Sequence, residues 1–168
     1  MPPWQGRRTP LVRCPARPRP GPCRTSSAST STWSTRARSC WGCGTRTRRT
    51  RGGGGTWHVL AGHLEAEAAT AGLAREAHEE AGLVIDPADL ELVHTVHTVD
   101  RPGARPRIQL FFRPRRWEGA PEVREPDRCL RWEWFCVRDL PEPIVPYTRV
   151  AIEGIRAGRS YSELEWPR

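Results

Sequence analysis

The sequence contains no lysine, so all 27 of its basic residues are arginine, and it contains no Asp or Glu before Glu65. Residues 1–63 carry 12 Arg and no acid, whereas residues 64–168 carry 15 Arg against 19 acids. The formal charge of +8 therefore belongs to the N-terminal third, and the remainder is mildly acidic. A basic total of this origin does not mark a nucleic-acid-binding surface on the folded body. From Arg13 to His58 there is also no Val, Ile, Leu, Met, Phe or Tyr. Such a stretch cannot offset its ordering entropy by burial. No apolar run reaches the length of a membrane span or a signal-peptide core. The six Cys are too unevenly spaced for a secreted disulfide framework. A cytoplasmic protein with no membrane partner is expected.

What is present begins near residue 56. A chain of 168 residues has room for one ordinary domain. The composition divides it into an Arg-rich segment, residues 1–55, and a globular domain, residues 56–168. Trp57–Leu60 reads as a short strand. Ala68–Ala81 reads as a helix with Leu73 and Ala77 on one side, closed by Gly82. Leu90–Val99, Arg107–Trp117 and Leu130–Val137 alternate or run apolar with β-branched and aromatic residues, which predicts three strands, and Val145–Arg156 predicts a final helix.

Chemistry is concentrated on the first helix. Glu76, Glu79 and Glu80 stand at i, i+3 and i+4, which places three carboxylates on one face within a turn. A bare triple of this kind is ordinarily a solvated acidic face. Gathered around Mg²⁺ or Mn²⁺, the same repulsion becomes useful, because such cations prefer carboxylate oxygen and bridge to phosphate. Arg75 and Glu79, at i and i+4, are placed to form an ion pair.

The surrounding spacing carries more information than the triple. Glu67, seven residues, Arg75-Glu76-Ala77-His78-Glu79-Glu80-Ala81-Gly82-Leu83 resembles the Nudix box, matching every fixed position from Glu67 onward, with Ala77 and Leu83 at the aliphatic places. Trp57-His58-Val59-Leu60-Ala61-Gly62 resembles the strand and turn before it, with Leu60 where the family usually has Pro. Arg116-Trp117-Glu118-Gly119, with Pro121 and Glu125, resembles a segment of MutT-like members in which a glutamate at the Glu125 position lies near the metal. The resemblance implies an α/β/α sandwich with a mixed sheet. It implies a divalent-metal hydrolase acting on the diphosphate link of a small nucleotide-like substrate. Glu76, Glu79, Glu80 and the Gly62 carbonyl become the implied ligands of Mg²⁺ or Mn²⁺. Glu67 and Arg75 shape and orient the site, and Glu76 and Glu125 stay open as the group that takes the proton from water. One departure stands out: four residues separate Gly62 from Glu67 where the family has five. A catalytically impaired Nudix-fold module that binds a nucleotide or a partner is the alternative this shortened loop motivates.

A Nudix sheet begins with strands that precede the box, and composition offers none in residues 1–55. The segment is therefore expected to be disordered, leaving those strands missing, or to be frame-shifted. An Arg-rich arm for nucleic-acid phosphate and a zinc or redox role for Cys40-Trp41-Gly42-Cys43 with Cys14 and Cys23 are weaker readings. In favour of the frame shift, reading each third base of Ser39–Gly44 with the next two forces Leu, Val or Met, then Leu, then Gly, then Leu, Val or Met, then Arg or Trp. With UCN serine codons, Thr25–Thr35 becomes an alternating apolar and polar run that includes an enforced Val. Both are strand patterns. His58, His63 and His78 are expected to be packing or surface residues, and Cys129 and Cys136 core residues.

Overall fold

The computed structural model of the chain describes residues 31–32, 39–45, 55–99 and 105–166. Among the described residues seven strands and two α-helices follow one another, with a short 3-10 helix at Pro87–Asp89: β1 Ser31–Thr32, β2 Ser39–Thr45, β3 Thr56–His58, α1 Ala69–Ala81, β4 Leu90–Thr98, β5 Arg107–Pro114, β6 Cys129–Cys136, α2 Pro146–Arg156 and β7 Tyr161–Leu164. One sheet has the order β1-β5-β4-β7 and the other β3-β2-β6. In the first, β4 and β5 are antiparallel while β1 and β7 lie parallel to their neighbours, so the sheet is mixed. Among the described residues no helix is long and apolar enough to cross a membrane.

The layering follows from two adjacent phenylalanines. Successive side chains of a strand point to opposite faces, and Phe111 and Phe112 of β5 are both buried. Phe112 joins Leu60, Leu73, Ala77, Ala81, Leu83 and Ile85 on the α1 side. Phe111 joins Val59, Val96 and Ala151 on the α2 side. A sheet apolar on both faces needs a helix on each, and this gives the expected α/β/α sandwich.

Helix α1 buries Leu73, Ala77 and Ala81, a stripe at four-residue spacing, and leaves its charged residues on the other face. It ends where the sequence places a glycine. Gly82 is left-handed, with φ 69°, its N–H donates to the His78 carbonyl, and the Leu83 N–H donates to the Ala77 carbonyl. Leu83 then packs back on Ala77, and the Gly82 bond to His78 is that of an αL stop. β3 is held on its far side by Trp57 N–H to the Pro143 carbonyl and Val145 N–H to the Trp57 carbonyl.

Some elements differ from the sequence expectation. β5 ends at Pro114 rather than Trp117, because proline has no N–H to continue a ladder; Trp117 still packs on the α1 cluster. The parallel edge strand β7 was not anticipated. Two strands, β1 and β2, also occur in the segment for which composition offers none, β2 being paired on both sides. The remaining residues of 1–54, including Cys14 and Cys23, lie outside the described residues. Cys129 is buried, as expected, and Cys136 is only partly so.

Candidate active site

Arg75 is the hub of the charged face of α1. Its Nη2 lies 2.8 Å from Glu67 Oε1 and 3.1 Å from Glu76 Oε1, and its Nη1 lies 2.8 Å from Glu79 Oε2. Nε also donates to Glu67 Oε1, and Nη2 donates to the His63 carbonyl. One guanidinium thus ties the loop before α1 to the helix and neutralises part of three carboxylates. Hydrogen bonding to Arg75 holds the Glu67 carboxyl below the usual carboxylate range. The same partners raise Arg75 itself. The loop one residue short of the family pattern still closes on the helix through these bonds.

Gly62 stands directly against Glu76. A β-carbon at Gly62 would overlap the Glu76 carboxyl group, so this position leaves the space that the carboxylate occupies. Burial raises the Glu76 carboxyl, and Glu79 and Glu125 raise it further against the opposing effect of Arg75. Glu80 is pushed up to about 7, first by burial, then by the negative charges of Glu76 and Glu125; the Ala61 N–H and Arg128 oppose this. A group buried among like charges favours its neutral form unless a cation supplies the missing charge.

Glu125 comes from the loop after β5. That loop is fastened across the C-terminal end of α1: Glu122 N–H donates to the Ala81 carbonyl, Arg124 N–H to the Glu80 carbonyl, and Arg124 Nη1 to the His78 carbonyl. These bonds bring Glu125 within electrostatic reach of Glu76 and Glu80. The residues singled out from the sequence, Gly62, Arg75, Glu76, Glu79, Glu80 and Glu125, are therefore brought together along the second half of α1. Among the described residues no three carboxylate, imidazole or thiol groups converge into a ready ligand cluster. Two carboxylates are drawn aside, Glu79 by Arg75 and Glu125 by Arg128, whose Nη1 lies 3.1 Å from Glu125 Oε2. The donor set is nonetheless all oxygen, and the raised Glu76 and Glu80 favour a positive charge beside them, which fits Mg²⁺ or Mn²⁺.

The histidines separate as expected. His58 is fully buried, its Nδ1–H donating to the Val59 carbonyl and its Nε2 accepting from the Tyr147 hydroxyl. His63 and His78 are exposed. Two features escaped the sequence reading. Arg128 is one, although its three-residue spacing from Glu125 was there to be seen. The other is a cavity of about 220 Å³ beside Gly62, whose lining includes His63, Leu64, Ile108, Gln109 and Phe112. It joins two segments 40 residues apart, and no local pattern reports such a pairing.

The family model for the NUDIX domain matches residues 44–154. No curated protein matches the chain in sequence. Among solved structures, a MutT NUDIX hydrolase from Burkholderia pseudomallei is similar at 24% identity and TM-score 0.61, covering 73% of this chain and 92% of that one. The MutT protein of Bacillus halodurans is similar at 18% identity and TM-score 0.59, covering 79% and 84%. The ORF135 protein of E. coli is similar at 18% identity and TM-score 0.58, covering 83% of this chain and 98% of that one. With the domain match covering most of the chain, the chain belongs to the Nudix family, and its fold is like that of the MutT NUDIX hydrolase.

Proposed function

We propose that this enzyme hydrolyses the diphosphate linkage of a nucleoside di- or triphosphate-type substrate with the help of Mg²⁺ or Mn²⁺, in the cytoplasm, and that residues 56–168 hold the machinery. The observation that carries this reading is the network in which Arg75 joins Glu67, Glu76 and Glu79 beside Gly62. Glu76, Glu79, Glu80 and the Gly62 carbonyl are the groups that would hold the cation. When bound, the cation supplies positive charge to the diphosphate and acidity to a water. Arg75 keeps the loop and the carboxylates in one arrangement, so that little reorganisation is needed on binding. Glu76 and Glu125 are the two carboxylates suited to take the proton from the attacking water, since both act on the same electrostatic neighbourhood.

A second reading is a Nudix-fold module of little activity, favoured by the short Gly62–Glu67 loop. One experiment separates the two. The purified chain is given a panel of nucleoside triphosphates and nucleotide-diphosphate compounds with Mg²⁺ or Mn²⁺, and release of phosphate or pyrophosphate is followed. The enzyme reading expects metal-dependent release that Glu79→Gln reduces to background. Nucleotide binding without turnover would establish the module instead. If neither nucleotide nor Mn²⁺ binds, the metal-hydrolase reading is withdrawn.

A further inference from the structure

Apart from Arg124, which bonds the His78 carbonyl, two guanidinium groups of different character stand beside the carboxylates of α1. Arg75 is fixed, since it meets three carboxylates and the His63 carbonyl. Arg128 is held by one. Its Nη1 lies 3.1 and 3.4 Å from the two Glu125 oxygens, and among the described residues its side chain makes hydrogen bonds to Glu125 alone. The pairing is built by the local backbone. The N–H groups of Arg128 and Cys129 both return to the Glu125 carbonyl, at 3.0 and 2.8 Å, so the chain turns through residues 126–128 and sets side chains 125 and 128 on one side. Arg128 is the solvent-facing member, with its side chain 69% exposed against 35% for Glu125. Its charge also reaches Glu80, where it opposes the repulsion from Glu76 and Glu125.

Resting on the metal-dependent reading above, and adding that a cation beside Glu76 and Glu80 also draws the Glu125 carboxylate, we propose that Arg128 is a positioning residue that competes with the divalent cation for Glu125. The carboxylate can satisfy its charge with the guanidinium or with a metal ion, and each weakens the other's hold. An exposed pair contributes little to stability, typically about 0–1 kcal/mol, so Arg128 is displaced easily. It sets the cation concentration at which Glu125 becomes available rather than blocking the site.

The test is Mn²⁺ uptake without nucleotide, read from the electron paramagnetic resonance signal of the free ion. It compares wild type, Arg128→Gln, Arg128→Lys, Glu125→Gln and the double variant with both glutamines. Arg128→Gln is expected to tighten Mn²⁺ binding on the order of 2- to 5-fold, what an exposed pair releases when one partner is removed. Arg128→Lys, which keeps the charge, is expected to stay near wild type. In the Glu125→Gln background the same Arg128 substitution should change binding much less. Unchanged or weaker binding by Arg128→Gln would overturn the inference, as would an equal gain with Glu125 already replaced. If wild type takes up no Mn²⁺, the metal-dependent reading fails and the inference falls with it. Uptake by wild type that is indifferent to Arg128 removes the inference and leaves that reading intact.

Discussion

The carboxylate of Glu76 lies where any side chain on Gly62 would have to go: a β-carbon there would overlap Glu76 Cγ, Cδ and Oε1. The carboxylate is the far end of a flexible side chain, so it can swing away, and the fold would tolerate the change. Gly62→Ala is therefore expected to leave the melting temperature nearly unchanged, within about 1 kcal/mol of stability. Metal-dependent turnover should fall on the order of 10- to 100-fold, the usual effect of misdirecting a ligand in a metal site. Thermal melting and turnover measured on the same preparation check this. Full activity in the alanine variant would mean that the Glu76 position is not needed.

How much of this was legible beforehand depended on whether the signal was local. Helix α1 could be read because its apolar stripe, its charged face and Gly82 lie within fourteen residues, and the same window carried most of the box. β4, β5 and β6 were legible because each carries its own alternation. Strand β7 was not: Tyr161-Ser162-Glu163-Leu164 is four residues long and half-exposed, and it is defined by its parallel partner β4 rather than by its own composition. The cavity beside Gly62 was missed for the same reason, since it depends on β5 being brought against the turn before α1, whereas Arg128 stands at a local spacing from Glu125. The meeting of Glu125 with the box followed from family resemblance, not from any pattern in the residues between them.

His58 predicts a pH dependence of stability. Its imidazole is held down to about 4, mainly by burial, against a hydrogen bond to the Val59 carbonyl that raises it. The unfolded chain therefore takes up a proton before the folded one does. The stability from neutral His58 is fully present above the ordinary value near 6.5, and it is lost as pH falls from there through about 4, flattening below. The full difference is about 3 kcal/mol at 1.4 kcal/mol per unit. Glu80 has the opposite sign: raised to about 7, it contributes stability at low pH that is lost as pH rises through 7. The two slopes partly cancel in wild type, so the test is a difference. His58→Asn should melt with a weaker loss of stability from pH 6.5 to 4 than wild type. Parallel pH profiles for the two proteins would show that His58 is not the group responsible.

Gly154 faces His94 across α2 and β4. A β-carbon at Gly154 would overlap the His94 ring, and that ring is pinned. It is buried, with Nδ1 donating to the Arg159 carbonyl at 2.8 Å and Nε2 3.1 Å from Ser162 Oγ. Glycine to alanine inside a helix ordinarily stabilises by about 0.5–1 kcal/mol. Here the overlap should win, since overfilling a packed site costs about 1–3 kcal/mol. Gly154→Ala is expected to lower the melting temperature by several degrees, at roughly 2–4 °C per kcal/mol for a domain of this size, while Mn²⁺ uptake at the far end of the sheet stays as in wild type. A higher melting temperature would mean that the histidine ring is free to move aside.

Strand β2 makes a prediction about the gene. It lies between β3 and β6 and is paired on both sides, yet it is written Ser-Cys-Trp-Gly-Cys-Gly-Thr. A central strand normally carries β-branched or aromatic residues, and glycine weakens it. Read one base earlier, the same nucleotides must give an aliphatic residue or Met, then Leu, Gly and a second aliphatic residue or Met, at the place where the sheet needs a strand. β1, at Ser31–Thr32, falls inside the other window whose shifted reading alternates. We infer that residues 25–45 are encoded in that other frame. A gene re-coded so that this stretch is read there is expected to yield a more stable enzyme. Each aliphatic side chain newly buried contributes about 1.5–3 kcal/mol, so a few of them raise the melting temperature by roughly 10 °C. Thermal melting of the two proteins, with turnover of the same nucleotide panel, measures the gain. A stop codon in the alternative frame within residues 25 to 50 would sink the idea before any protein is made, and an unchanged melting temperature would sink it afterwards.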